Sequence, residues 1–165
     1  YEDGARPGTL YLFEHWKSEA ALDAHTHQSY YKAIRAQEAD DLGGPVDERN
    51  LREIMPSKRG KPSDARVPGG YSALTLLRTT NDTGSQLVDL FGPVAPQARA
   101  SAGNKGFSLF QDIERPQAFV LIEHWSQRSA REVWMNSADG QAFQSWLQHT
   151  AAAPAQPIDL IDRSR

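Results

Sequence analysis

Along two short, mostly apolar stretches of the chain successive side chains alternate between two faces, and each stretch reads as a β-strand with polar positions only near its end. From Thr9 to Trp16, Leu10, Leu12, Glu14 and Trp16 fall on one face and Tyr11, Phe13 and His15 on the other. From Ala118 to Trp125 the pattern returns, with Phe119, Leu121, Glu123 and Trp125 against Val120, Ile122 and His124. Both faces are apolar over most of their length, which predicts strands covered on both sides. Each strand ends with a Glu and a Trp on the same face.

The pattern then changes to a helical period. A helix is predicted from Ser18 to Asp41, with Ser18 as its N-cap and Glu19 complementing the dipole. Ala20, Ala24, His27, Tyr31 and Ile34 form one stripe on it. Gly43-Gly44-Pro45 ends the segment, and Asn50–Met55 reads as a short strand closed by Pro56. Residues 56–70 are rich in Pro, Gly and charge and have no apolar period, so they read as a linker. No aromatic is interleaved among their basic residues, as a nucleic-acid patch would require.

After the linker, Ser72–Thr79 is a predicted strand. A helix from Thr83 carries Leu87, Leu90, Phe91 and Val94, and Pro93 and Pro96 are expected to break or kink it. Strand Gly106–Ile113 leads through a turn at Arg115-Pro116 to strand Ala118–Trp125. A helix over Gln127–Gln148 and a strand over Ile158–Asp162 complete the run. The order is β-α-β-β-α-β, a ferredoxin-like unit.

Part of this unit occurs twice. Asp3, Arg6, Pro7, Leu12, Glu14, His15 and Trp16 return as Asp112, Arg115, Pro116, Leu121, Glu123, His124 and Trp125, all at the 109-position offset that separates Trp16 from Trp125. The domains expected are therefore 1–55, the trailing part of a first unit, and 71–165, a complete second one. By comparison with the second copy, the first lacks a leader of about 38 residues. Each unit has helices on one face of its sheet only, so two units bury their other faces by packing together. The fold class expected is α+β: an intrachain pseudo-dimer with an eight-stranded shared barrel able to hold one small ligand.

Composition narrows the function classes. The chain has 39% hydrophobic and 24% charged residues, as a globular protein does. A net charge of −3 argues against a nucleic-acid partner. No apolar run reaches the roughly 20 residues needed to span a bilayer, so no membrane partner is expected. The absence of cysteine excludes disulfides and thiolate metal sites within these residues. A cytoplasmic location is expected, though a leader could carry a signal peptide.

The residues that follow each Glu-x-Trp carry a family resemblance. Glu14-His15-Trp16 is followed by Ala21-Leu22-Asp23-Ala24-His25 and then Ser29-Tyr30-Tyr31. In this the chain resembles the antibiotic biosynthesis monooxygenase domain family of the dimeric α+β barrel superfamily. The second copy keeps Glu123-His124-Trp125 but has Arg131 for the Leu and Trp134 for the His. The resemblance implies oxidation of a small phenolic or quinol-type aromatic by O₂, with no metal or other cofactor. The substrate is deprotonated to an electron-rich anion that reduces O₂ directly. Other relatives degrade haem or process signalling molecules, and some have no demonstrated catalysis. The alternative expectation is thus a non-catalytic ligand-binding or stress-response barrel. Haem ligation is disfavoured, because Gln144 stands where haem-degrading relatives have a ligating His.

Under this resemblance His25 or His27 takes the phenolic proton, and Tyr30 or Tyr31 hydrogen-bonds the anion. The catalytic candidates are His25, His27 and Tyr31. The substrate-binding candidates are Glu14, Trp16, Tyr30, Trp125 and Trp134. Plainer readings compete: His27 as a packing residue on its stripe, Glu14 as a cap or rim partner, and the tryptophans as core. His15 and His124, on the opposite strand face, read as structural. The partners expected are a small aromatic and O₂, with the intrachain pseudo-dimer open to further homo-oligomerisation.

Overall fold

The structure is a computed structural model that describes residues 1–55, 69–80, 84–152 and 155–163. The elements in chain order are β1 (Glu2–Asp3), α1 (Glu19–Thr26), α2 (Ser29–Asp41), β2 (Leu51–Met55), β3 (Tyr71–Arg78), α3 (Gly84–Ala100), β4 (Asn104–Asp112), β5 (Ala118–Trp125), α4 (Arg128–Met135), α5 (Ala138–Thr150) and β6 (Pro157–Ile161). They group into two compact units, Tyr1–Tyr11 with Arg49–Arg165, and Leu12–Glu48. Most of the predicted linker, residues 56–68, lies outside the described residues, as does Thr83.

The larger unit holds one antiparallel sheet in the order β1-β6-β3-β5-β4-β2. From β3 to β6 the chain runs β-α-β-β-α-α-β, the predicted β-α-β-β-α-β order with its last helix in two pieces. β5 pairs along its length with β3 on one side and β4 on the other, and all eight of its residues are buried. One of its faces packs under the helices. There Leu87, Phe91, Ala95 and Ala98 of α3 meet Phe107, Leu109, Phe119, Leu121 and Trp125 of the sheet. The other face carries Leu74, Phe110, Val120 and Ile122, also buried. His124 lies buried on this second face, its Nδ1 2.8 Å from the Oγ of its cross-strand partner Ser72.

Helix α3 runs unbroken through Pro93 and Pro96, so the expected break does not occur there. Phe91, Val94, Ala95 and Ala98 around the prolines are all buried, so tertiary packing outweighs the missing backbone donors. Conversely, each long predicted helix is two helices. α1 ends at its C-cap His27 and α4 at Asn136, with nearly identical backbone angles at the two caps. Ser137 then caps α5 by accepting from the Gly140 N–H. Both breaks fall at equivalent positions, and the four helices keep the 109-residue offset at both ends.

The repeat is also visible in hydrogen bonds. The Asp3 carboxylate accepts from the backbone N–H groups of Ala5 and Arg6 and from Arg6 Nε. Asp112 accepts from Glu114, Arg115 and Arg115 Nε in the same way. Strand pairing follows suit. Leu51 and Arg52 of β2 face Asp112 and Gln111 of β4, while Leu160 and Ile161 of β6 face Asp3 and Glu2 of β1. One register maps onto the other by the same offset, so the last strand of each copy pairs with the second strand of the other.

The predicted strand Thr9–Trp16 does not form. Only Leu10 makes an isolated bridge, to Glu2. The described residues therefore supply six strands instead of the eight of two full copies. The physical reason is that the described residues offer this segment no strand on either side to pair with along its length. In the second copy β5 is held between β3 and β4, whereas the residues from Tyr1 onward contain no counterpart of β3 and only the two-residue β1 in place of β4. Equivalent side chains diverge accordingly. Leu12 is 81% exposed against 1% for Leu121, and Ile34 is 60% exposed against 0% for Phe143.

Replacing Asp112 by Ala removes the buried acceptor of two backbone N–H groups and of Arg115 Nε at this turn. It should cost about 1–3 kcal/mol in urea unfolding. Asp112→Asn, which keeps an acceptor, should cost less. Equal losses for the two variants would show that the turn does not depend on this acceptor.

Candidate functional site

The two copies put their Glu-x-Trp ends in different surroundings. In the second, Glu123 and Trp125 close β5 on the helix-covered face, and both are fully buried. A buried carboxylate needs a counter-charge and hydrogen bonds. Arg131, eight residues on in α4, supplies a bidentate pair, with Nη2 at 2.8 Å from Oε1 and Nε at 3.0 Å from Oε2. Trp125 Nε1 donates to Glu123 Oε2 at 3.1 Å. Burial works against the Arg131 charge, but Glu123 outweighs it and the guanidinium pKa is raised.

A second polar group adjoins this pair. Asp159 of β6 accepts from the Tyr71 hydroxyl and from Arg128, whose guanidinium lies 4.6 Å from the Tyr71 ring centroid. Burial, then the bond to Asp159, pushes the Tyr71 phenol up to about 12. Burial opposes ionisation of Asp159 too, yet the bonds from Arg128 and Tyr71 hold its carboxyl below the ordinary value.

Trp134 fills the rest of the space between helices and sheet. Its ring stacks on Trp125 at 5.8 Å and meets Phe107 edge-on at 5.2 Å and Phe143 at 5.8 Å. Its buried indole N–H has no hydrogen-bond partner among the described residues. Trp125 and Trp134, proposed from sequence as substrate contacts, thus sit in a packed aromatic core. Gln144 donates to the carbonyls of Met135 and Gly140, where it ties α4 to α5.

In the first copy His25 occupies the position of Trp134, and Leu22 that of Arg131. The half-buried His25 ring lies 4.6 Å from Trp16, 4.9 Å from Tyr31 in an edge-on contact, and 5.5 Å from Tyr30. Its Nδ1 is 2.8 Å from the Tyr30 hydroxyl. The helix break creates this contact. Residues five apart on an unbroken helix point to different faces, but the turn at His27-Gln28 folds Tyr30 back over His25. Arg35 lies behind, 6.0 Å from the Tyr31 ring centroid.

Four sequence candidates, Trp16, His25, Tyr30 and Tyr31, are therefore brought together. His27 and Glu14 are not. His27 is the C-cap of α1, is exposed, and places Nδ1 2.7 Å from the Asp23 carbonyl, which removes it from its predicted stripe. Glu14 is exposed on irregular backbone. The sequence reading missed the roles of Arg131, Tyr71, Arg128 and Asp159. A Glu on a strand face predicted to be buried was a signal that a cation must lie nearby. Among the described residues no group of three or more His, Asp or Glu is placed to hold a metal ion, and no helix is long and apolar enough to cross a membrane.

The model of the family described as antibiotic biosynthesis monooxygenase matches residues 1–37 and 70–153. Among solved structures, the chain is similar to the FN1347 protein of Fusobacterium nucleatum, with a TM-score of 0.67 at 9% identity over 87% of this chain. The match takes in 64% of that protein's own length. Rv0793 of Mycobacterium tuberculosis matches with a TM-score of 0.54 at 17% identity, over 58% of this chain and 97% of that one. A crystallised antibiotic biosynthesis monooxygenase matches with a TM-score of 0.53 at 14% identity, over 57% and 99%. At these identities the likeness shows the fold. A comparison with curated proteins finds no match.

The Glu123–Arg131 pair sets a stability test. Arg131→Leu, which copies the first half, leaves Glu123 buried without its counter-charge and should cost about 3–5 kcal/mol in urea unfolding. Adding Glu123→Gln should recover most of the loss, since the amide oxygen can still accept from Trp125. A double variant as unstable as the single one would assign Arg131 a packing role alone.

Proposed function

The chain belongs to the antibiotic biosynthesis monooxygenase family, and on that premise we propose that it is a cofactor-independent monooxygenase of small phenolic or quinol-type aromatics, working at a site in its first copy. The observation that carries this reading is the convergence of His25, Trp16, Tyr30 and Tyr31. Aromatic rings suit a flat substrate, and His25 meets its phenolic oxygen. The ionised phenol gives an electron to O₂, and the two radicals combine at a ring carbon. Loss of water then leaves a quinone. One oxygen atom enters the product and the other leaves as water, with the substrate itself supplying the electrons. The protein contributes orientation and stabilisation of the phenolate oxygen.

The filled second copy supports a division of labour. With Trp134, Phe107 and Phe143 packed together and Arg131 held by Glu123, that half serves as framework. The same filling is what a non-catalytic ligand-binding barrel would show, so the experiment must separate the two readings.

Oxygen uptake with anthrone or a hydroquinone, after chelator treatment and removal of flavin, is the direct test. His25→Ala should lower turnover by about 10²-fold or more, the cost of removing one preorganised donor at a developing oxyanion. His27→Ala should leave it within a few-fold. Equal small effects at His25 and His27, or a rate that requires added iron or flavin, would sink the proposal.

A further inference from the structure

We infer that Tyr30 holds His25 as the tautomer protonated on Nε2, so that the site takes its aromatic ligand as a phenolate through an N–H···O⁻ hydrogen bond. This rests on the reading of the first copy as the substrate site, and it makes His25 a donor where sequence reasoning made it a base.

The inference starts from the 2.8 Å contact between His25 Nδ1 and the Tyr30 hydroxyl. A phenol is a good donor and a weak acceptor, while an imidazole nitrogen without its proton is a strong acceptor. The favoured arrangement is therefore Tyr30 O–H donating to Nδ1. A neutral imidazole then carries its single proton on Nε2, since the hydrogen bond at one nitrogen fixes the state of the other. Nε2 has no hydrogen-bond partner among the described residues. What the site offers a ligand is thus an N–H and no lone pair.

Such a nitrogen cannot accept a phenolic proton, but it stabilises the anion. A hydrogen bond to the charged form of a group lowers its pKa, so a bound phenol ionises to solvent more readily than a free one. Trp16 and Tyr31 flank the imidazole and are placed to pack on the ligand ring. Arg35 lies behind Tyr31 and pairs with Glu38 and Glu48, and Asp23 faces His27 on the exposed side of α1. Glu38 and Glu48 face Arg35, and the hydrogen bond His25 makes among the described residues is to Tyr30, which leaves its N–H to meet the ligand. Tyr30 is accordingly a positioning residue that acts through His25. The ligand class follows: phenols acidic enough to be held as phenolates, with neutral aromatic ethers excluded.

The probe is 4-nitrophenol, whose ionised form is coloured. Titrated with the protein, its apparent pKa should fall by about one unit or more. The shift should vanish in His25→Ala and be largely lost in Tyr30→Phe, which should fold normally because Tyr30 is 54% exposed. In parallel, ¹⁵N NMR of histidine-labelled protein should show His25 protonated on Nε2 and bare on Nδ1, with a tautomer mixture in Tyr30→Phe. A proton on Nδ1 in the wild type, an unchanged or raised 4-nitrophenol pKa, or no binding of the probe would each overturn the inference. Its failure is separable from that of the proposed activity. Oxygen uptake that depends on His25 together with a proton on Nδ1 removes only the tautomer assignment. Nitrophenolate binding without oxygen uptake removes only the oxidation.

Discussion

Everything in the larger unit depends on one constraint: the closing strand of each copy must pair with the second strand of the other. A ferredoxin-like sheet ends in strands with open backbone groups, and open edges invite wrong pairing. Here β2 covers the edge of β4 and β6 is itself covered by β1, in registers related by one offset. The buried carboxylates of Asp3 and Asp112 lie at these crossings. Each is the last residue of its strand, faces the partner strand, and gathers the donors of the turn that follows. The turn fixes where the strand stops, and the stop fixes the register of the crossing.

The two copies differ at a few corresponding positions near their Glu-x-Trp ends. The second needs its interior dry and full, because β5 is buried on both faces and carries a charge there. Arg131 neutralises Glu123 and Trp134 occupies the remaining volume. The first has Leu22 and His25 at those positions, so its aromatic side chains gather around an imidazole where the second copy has an indole. A polar ring stands where the second copy has a packed apolar one.

The strand and helix order of residues 71–161 and the capping role of Ser18 were legible because each rests on local periodicity or local side-chain chemistry. The failures share a cause, which is that tertiary context decides them. Thr9–Trp16 has a strand's alternation, but alternation makes no strand without neighbours to pair with. Pro93 and Pro96 are tolerated because Phe91 and Val94 hold α3 in place. The breaks at His27 and Asn136 carry no Gly or Pro, so nothing in the hydrophobic period announced them. Of the candidate residues, those next to a break moved most. His27 left its expected stripe to become a cap, and Tyr30 came within reach of His25.

That last movement joins the fold to the chemistry. A continuous helix from Ser18 to Asp41 would hold His25 and Tyr30 on different faces, without the contact between Nδ1 and the phenol. The break costs backbone hydrogen bonds of about one turn, partly offset when the Gln28 N–H bonds to the His25 carbonyl three residues back. In return one nitrogen of His25 is occupied by a phenol. The same break in the second copy sets Trp134 into the core and ties it there through Ser137, which donates to the Trp134 carbonyl at 2.6 Å. A single backbone device therefore serves packing in one half and, with two tyrosines added after it, the presentation of an imidazole in the other.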